Sequence, residues 1–339
     1  MAKVMEIVAE GEGELLGWHD PDQNRAWIRD NKPRGLIDKR MTPQEAVAKF
    51  IQDGDFLAVG GFGHIRVPMV LIYEIIRQGR RNMVIAGKTA VHDIDVLIGA
   101  NCVDKVECAY AFGHELRGLS PAGRRAVESG KIQVVAEISN GAYQWRFLAG
   151  MMGVPFIPVR NLIGTDTFAK SSAKQVRDPW SDKIVTLLPA AYPDVALFHV
   201  PRCDKYGNAQ IDGILVEDFE LARAARRVLI TTEEIVNEED IRRDPRQTVI
   251  PFYVVDAVCE VPYGAHPTLM PYQYFFDEEH IHEWMTLSKT EEGTQEYLEK
   301  YVFGVANFNE YLERIGGLRK LHQLRQVELL REPMVNVGG

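Results

Sequence analysis

Four short stretches carry residue types that do chemistry. Gly60-Gly61-Phe62-Gly63-His64-Ile65-Arg66 joins three glycines to an imidazole and a guanidinium. Gly113-His114-Glu115 sets an imidazole beside a carboxylate, Gly164-Thr165-Asp166-Thr167 adds a hydroxyl and an acid, and Pro262-Tyr263-Gly264-Ala265-His266-Pro267 carries a further histidine. Glycine has no Cβ, so backbone N–H groups can approach a ligand or reacting atom closely. Each stretch is expected at a strand end. If those strands are parallel, their carboxyl ends share one rim, where ligands bind in open α/β sheets. A rim with Glu115, His114, His64 and glycine N–H groups could hold an acyl group and its oxyanion. Arg66 and Lys88 have the charge to bind a phosphate or carboxylate. Plainer readings stand beside these: a tight turn that needs glycines, a structural carboxylate at Glu115, and solvated surface charge at Arg66 and Lys88.

Other chemistries find no support. The spacing G-G-x-G is neither the dinucleotide fingerprint nor a P-loop. There is no G-x-S-x-G nucleophile elbow and no H-E-x-x-H. His280 and His282 lie two apart beside Glu278, Glu279 and Glu283. Residues two apart on a helix do not share a face, so a surface acidic–basic cluster is expected there and no metal. Cys102, Cys108, Cys203 and Cys259 form no C-x-x-C pair and read as reduced packing thiols. The 339 residues are 46% hydrophobic and 26% charged, with a net charge of -9, the pattern of a soluble globular protein rather than a nucleic-acid binder. Neither a signal peptide nor a membrane span is visible, and a cytoplasmic location is expected.

The elements that must position these residues follow from periodicity and punctuation. Thr42-Pro43-Gln44-Glu45 is a capping box with Pro at the first helical position, and a helix follows to about Gln52. Strands are expected over 56–59, 83–86, 105–111, 132–137, 154–159 (edge-like), 195–200, 227–231 and 254–261. Helices are expected over 68–78, near 93–98, and over 120–129, 144–152, 219–226, 233–243, 294–301 and 308–315. The segment 177–188 reads as a hairpin or loop excursion. Alternating strands and helices predict an α/β fold, an open mostly parallel sheet flanked by helices. Residues 1–40 read as an extension docked through Trp18 and Trp27, residues 41–317 as the main domain, and 318–339 as a tail.

Taken together the motifs resemble family I coenzyme A transferases, and more narrowly the A subunits of the glutaconate CoA-transferase type. The resemblance rests on Val59-Gly60-Gly61-Phe62-Gly63, Glu74-Ile75-Ile76-Arg77-Gln78-Gly79, Gly153-Val154-Pro155-Phe156-Ile157-Pro158-Val159 and Thr232-Glu233-Glu234-Ile235. It continues through Ile241-Arg242-Arg243-Asp244-Pro245 and Val255-Asp256-Ala257-Val258, and ends in Pro262-Tyr263-Gly264-Ala265-His266-Pro267. It implies CoA thioester as substrate, no bound cofactor, and a heteromer with a B subunit. That subunit's glutamate would form a glutamyl-CoA thioester and pass CoA to a carboxylic acid. Its usual Ser-Glu-Asn-Gly motif is absent from this chain. Gly60 to Gly63 would line the shared site, with Gly164 and Thr165 near the acyl group. The stretch Phe112-Gly113-His114-Glu115-Leu116 departs from the glutaconate type. Related heteromers hydrolyse a ring in a CoA thioester or decarboxylate one. In such a reaction Glu115 would be the acting carboxylate. A non-catalytic CoA-binding scaffold is the third reading.

Overall fold

The structure, a computed structural model, describes residues 6–114 and 117–334. The chain opens with β1 (Ile7–Glu10), α1 (Pro21–Asn31) and α2 (Pro43–Phe50). Next come β2 (Phe56–Val59), α3 (Met69–Arg77), β3 (Met83–Lys88), α4 (His92–Gly99), β4 (Val103–Ala109), α5 (Pro121–Glu128), β5 (Gln133–Glu137) and α6 (Asn140–Met152). An excursion follows through β6 (Phe156–Val159), α7 (Asp166–Ala169), β7 (Lys174–Arg177) and β8 (Ile184–Pro189). The chain returns with β9 (Val195–Val200), β10 (Arg202–Cys203), β11 (Ala209–Gln210), α8 (Asp218–Ala224), β12 (Arg227–Thr232), α9 (Glu238–Arg243), β13 (Thr248–Ile250) and β14 (Ala257–Glu260). It ends in α10 (Glu278–Leu287), α11 (Glu291–Leu298), α12 (Phe308–Arg314) and α13 (Gly317–Glu328).

Local chemistry explains several boundaries. The Thr42 hydroxyl accepts from Glu45 N–H at 3.2 Å, and Glu45 Oε2 accepts from Thr42 N–H at 2.8 Å, so the expected capping box forms. α6 stops at Gly153, which takes the left-handed φ of 69°.

Among the described residues the strands form three sheets. The central sheet has seven strands in the order β14-β12-β9-β2-β3-β4-β5, with every neighbouring pair parallel. The expected open, mostly parallel sheet flanked by helices is the architecture found. Its inner strands β2, β9 and β12 are buried on both faces, and alternate residues feed two cores. Leu57, Val195, Leu197 and Leu229 face the core built with α2 to α5 and α10 to α12. Phe56, Ala58, Ala196, Phe198, Val228 and Ile230 face the other, built with α6, α8 and the excursion. Sequence order runs outward from β2 through β3 to β5, then restarts at β9 on the other side of β2. The switch point therefore lies between β2 and β9.

Two expectations need correction. The strand before Gly164 is an edge strand, but of a four-stranded antiparallel sheet, β1-β7-β8-β6, and not of the parallel sheet. The helix expected over 233–243 covers only α9, because Glu233 is held outside it by His199 and Tyr274. Within the excursion, β7 and β8 pair as the hairpin expected over 177–188. Among the described residues no helix is long and apolar enough to cross a membrane.

Candidate active site

The glycine turn sits at the carboxyl end of β2, at the switch point, where helix-flanked parallel sheets leave a crevice for ligands. Its backbone is woven into its surroundings. Gly60 N–H donates to Leu197 O of β9 at 2.8 Å, Phe62 N–H to Ile65 O at 3.0 Å, and Gly63 N–H to Thr89 O at 3.1 Å. Gly61 has φ 88°, and a Cβ there would overlap the Ile65 carbonyl oxygen. This position requires glycine. Three of the turn's amides are thus committed to backbone carbonyls, which removes them from the oxyanion role expected of the glycine N–H groups.

The Pro262–Pro267 loop and the residues after it clasp the turn. Leu269 N–H donates to His64 O at 2.7 Å, and Arg66 N–H donates to Leu269 O at 2.8 Å. Val70 N–H, at the start of α3, donates to Gly264 O. The loop is held from below by Glu233. That carboxylate accepts from Tyr263 N–H at 2.7 Å and Tyr274 OH at 2.6 Å, and lies 2.6 Å from His199 Nε2. His266 is fully buried, with Tyr311 OH 2.6 Å from Nδ1 and Asp277 Oδ2 3.1 Å from Nε2. It is a packed structural residue of the rim.

His64 and His114 meet, as their rim positions suggested. Their ring centroids are 5.8 Å apart, and His64 lies 5.6 Å from the Phe276 ring. Burial, with the nearby Arg117 charge, pushes His64 down to about 4. Burial, with His64 and Arg117, takes His114 to about 3. Both are neutral imidazoles at pH 7. His92 and His280 continue the line, at 6.4 Å from His114 to His92 and 6.5 Å from His92 to His280. His280 is buried and lies 2.7 Å from Tyr297 OH, which corrects the surface cluster expected at 278–283. Glu115 lies outside the described residues.

Arg66 and Lys88 are not surface charges. Arg66 has φ 57° and is fully buried. Its guanidinium forks onto Asp218, with both N···O distances 2.9 Å, and donates to Ile214 O. It anchors the turn to α8 and is withdrawn from any ligand. Lys88 Nζ lies 3.0 Å from Glu217 Oε2. The partners Glu217 and Asp218 are adjacent at the N-terminus of α8, more than 100 residues on, and no sequence signal marked them. Strain clusters on the same rim. Arg66, Thr89, Tyr110 and Phe112 follow β2, β3 and β4 with positive φ, a costly conformation for a side chain.

The Gly164-Thr165 loop reaches this rim indirectly. Thr165 caps α7, and its hydroxyl donates to Leu162 O. Asn161 donates to Ser139 Oγ at 2.9 Å, and Asn140 to Thr89 Oγ1 at 3.5 Å. A short polar chain thus joins the excursion to the ends of β5 and β3. Gly164 itself has φ 72°, and a Cβ at that position would meet open space.

Residues 40–261, from before α2 to just after β14, match the family described as coenzyme A transferase. That span contains the whole central sheet and the glycine turn. The chain belongs to the coenzyme A transferase family. It is 31% identical over 304 residues to the A subunit of glutaconate CoA-transferase from Acidaminococcus fermentans, covering 84% of this chain and 94% of the relative. The crystal structure of that enzyme superposes with a TM-score of 0.79, covering 84% of this chain and 95% of the other. A crystal structure of a single-residue variant of the decarboxylase AibA/AibB is 32% identical with a TM-score of 0.69, covering 77% and 97%. An uncharacterized protein of Archaeoglobus fulgidus is 62% identical over 328 residues, 97% of this chain and 73% of its own length. Among this transferase-family chain's described residues, no group of three or more His, Cys, Asp or Glu side chains is arranged to hold a metal.

Proposed function

We propose that this chain is the A subunit of a CoA-transferase that moves CoA between an acyl-CoA and a carboxylic acid. A glutamate on a partner B subunit supplies the nucleophile and carries CoA as a glutamyl thioester between two half-reactions. One observation carries the reading: the glycine turn occupies the switch point of the sheet in a chain 31% identical to the A subunit of a glutaconate CoA-transferase. The absence of a Ser-Glu-Asn-Gly stretch supports a nucleophile from outside this chain. In this reading Gly60 to Gly63, His64 and His114 line the shared site. The neutral His64 ring adds no charge there, and the fully buried His114 ring packs behind it. Gly164 and Thr165 lie toward the acyl group.

The test is mass spectrometry of the co-purified complex after acyl-CoA and then borohydride. Reduction of a glutamyl thioester converts that glutamate to an alcohol, a loss of about 14 Da. The change is expected on the partner and nowhere on this chain. An unaltered complex that still consumes acyl-CoA would sink the transferase reading.

The likeness to AibA/AibB, at 32% identity, favours a second reading. Here the complex decarboxylates or hydrolyses a CoA thioester, with Glu115 as the acid–base group. Glu115→Gln then abolishes turnover. Full activity in that variant removes this reading.

A further inference from the structure

The carboxyl end of β3 holds a charge pair that the proposed reaction does not use. Lys88 lines a narrow cleft together with Gly60 to Gly63, Thr89 and Asp93. Its Nζ lies 3.0 Å from Glu217 Oε2, 3.4 Å from Gln144 Oε1 and 6.0 Å above the Phe62 ring centroid. Glu217 is 1% exposed, and its second oxygen, Oε1, is buried with no hydrogen-bond partner among the described residues. A buried carboxylate with one unpaired oxygen is costly. Burial pushes Glu217 up to about 7, against the pull of the Lys88 charge and with the help of Asp218. The other charged or titratable groups around it are Tyr143 of α6, whose own pKa is raised by burial and then by the Glu217 charge, and Glu220 of α8, which shares Gln144 with Lys88. Arg66 faces Asp218 and neutralises it. Asp93, on the cleft wall, is pushed up to about 6 by burial.

One ammonium therefore stands between a poorly satisfied carboxylate and a cleft beside the glycine turn. We propose that Lys88 binds the carboxylate of the acid substrate, and that Glu217 takes up a proton from solvent as that carboxylate arrives. No covalent bond changes. Lys88 stays an ammonium, the ligand enters as an anion, and the proton settles on the Glu217 carboxyl. The physical reason is competition: two carboxylates beside one cation in a buried site cannot both stay charged. The cleft is about 10 Å³ as it stands, so the carboxylate head enters only as the side chains on its wall give way, and the rest of the molecule lies outside. The inference rests on the carboxylic-acid substrate of the transferase reading.

The experiment is calorimetric titration of the intact protein, with its co-purified partner, using acetate and glutarate without any CoA. Runs in phosphate and Tris at pH 7.5 separate proton uptake from binding heat. Wild type should take up between about 0.5 and 1 proton per carboxylate. Affinity should fall up to about tenfold per pH unit above the value near 7 held by free Glu217. Glu217→Gln should keep binding and lose both the proton uptake and the pH slope. Lys88→Met should weaken binding at least about tenfold, and Lys88→Arg should restore part of it. Unchanged proton uptake in Glu217→Gln would overturn the proposal, as would wild-type affinity in Lys88→Met or no binding of either acid to wild type. Because no thioester is involved, the outcome stands apart from the test of transfer. Transfer with no Lys88-dependent binding sinks this inference alone, and binding with no transfer sinks the other alone.

Discussion

Arg66 shows how far a residue's role departs from its neighbourhood in the sequence. Beside three glycines and a histidine, it reads as a ligand for an anion. The partner that decides otherwise, Asp218, is 152 positions away, and no local pattern announces it. A fully buried bidentate pair is expensive to break from one side, because the remaining charge is stranded. Arg66→Met should cost about 3–5 kcal/mol. The double variant Arg66→Met/Asp218→Leu should recover most of it. Urea unfolding of the four proteins of that cycle gives the measurement. A solvated surface arginine would show a loss within about 0.5 kcal/mol. The glycines beside it separate in the same way. Gly63→Ala meets only Thr89 Cγ2 at 3.7 Å and bears the left-handed φ of 60°, a cost of about 1–2 kcal/mol. Gly61→Ala adds the overlap with Ile65 O and should be clearly the more destabilising in thermal melts. The composition Gly-Gly-x-Gly made the turn legible, but not which glycine is indispensable, since that depends on a carbonyl four residues on that only the folded turn brings back.

At the scale of elements, what was legible was local. The capping box before α2, the αL stop of α6 and the short apolar strands are all written within a few residues, and they form where expected. What was not legible was made by contact between distant elements. Glu233 looks like the start of a charged helix but instead supports the Pro262–Pro267 loop. His280 looks like part of a polar surface but joins a row of buried imidazoles from α4, α10 and three loops. That row has a consequence for acid stability. His92 is buried with neither ring nitrogen partnered among the described residues, and burial holds it well below 6.5. Its folded pKa is depressed, so the unfolded chain binds the proton first as pH falls below about 6.5. Stability is then lost at up to about 1.4 kcal/mol per pH unit for this ring. Asp93 and Asp95, pushed up by burial to about 6 and about 7, act in the opposite sense over the same range. The quantity to read is therefore the difference between wild type and His92→Leu. Urea midpoints at pH 7 and pH 5 should draw closer together in the variant than in wild type. Equal spacing would mean that the fold leaves the His92 pKa where the unfolded chain has it.

For the whole molecule, the parallel sheet with two cores was predictable from strand–helix alternation, because that rhythm is a property of the entire chain. How residues 6–40 join it was not. They are tied down at several separate places. β1 pairs with β7, and Leu16 O accepts from Arg146, itself bonded to Glu107. Tyr192 N–H donates to Gly17 O, and the Trp18 indole donates to Pro155 O. Lys32 lies 3.0 Å from Asp256, both side chains at most 3% exposed. Asp256 also accepts from Val228 N–H at 2.8 Å, so it holds the start of β12 against the approach to β14. We propose that residues 7–32 are part of the folding unit and not a detachable arm. Two variants separate the contributions. Lys32→Met strands the Asp256 charge beneath the sheet edge, and should cost about 3–5 kcal/mol with the rest of the extension in place. Removing residues 1–40 adds the loss of the Arg146 acceptor and leaves β7 with an unpaired edge, which invites association between chains. The shortened chain should unfold at lower urea than Lys32→Met and run as larger species in light scattering. A shortened chain as stable and monodisperse as the full one would show that the sheet needs none of these ties. Lys32→Met alone matching the full deletion would place the whole effect in one ion pair, and leave β1 with only an edge to cover.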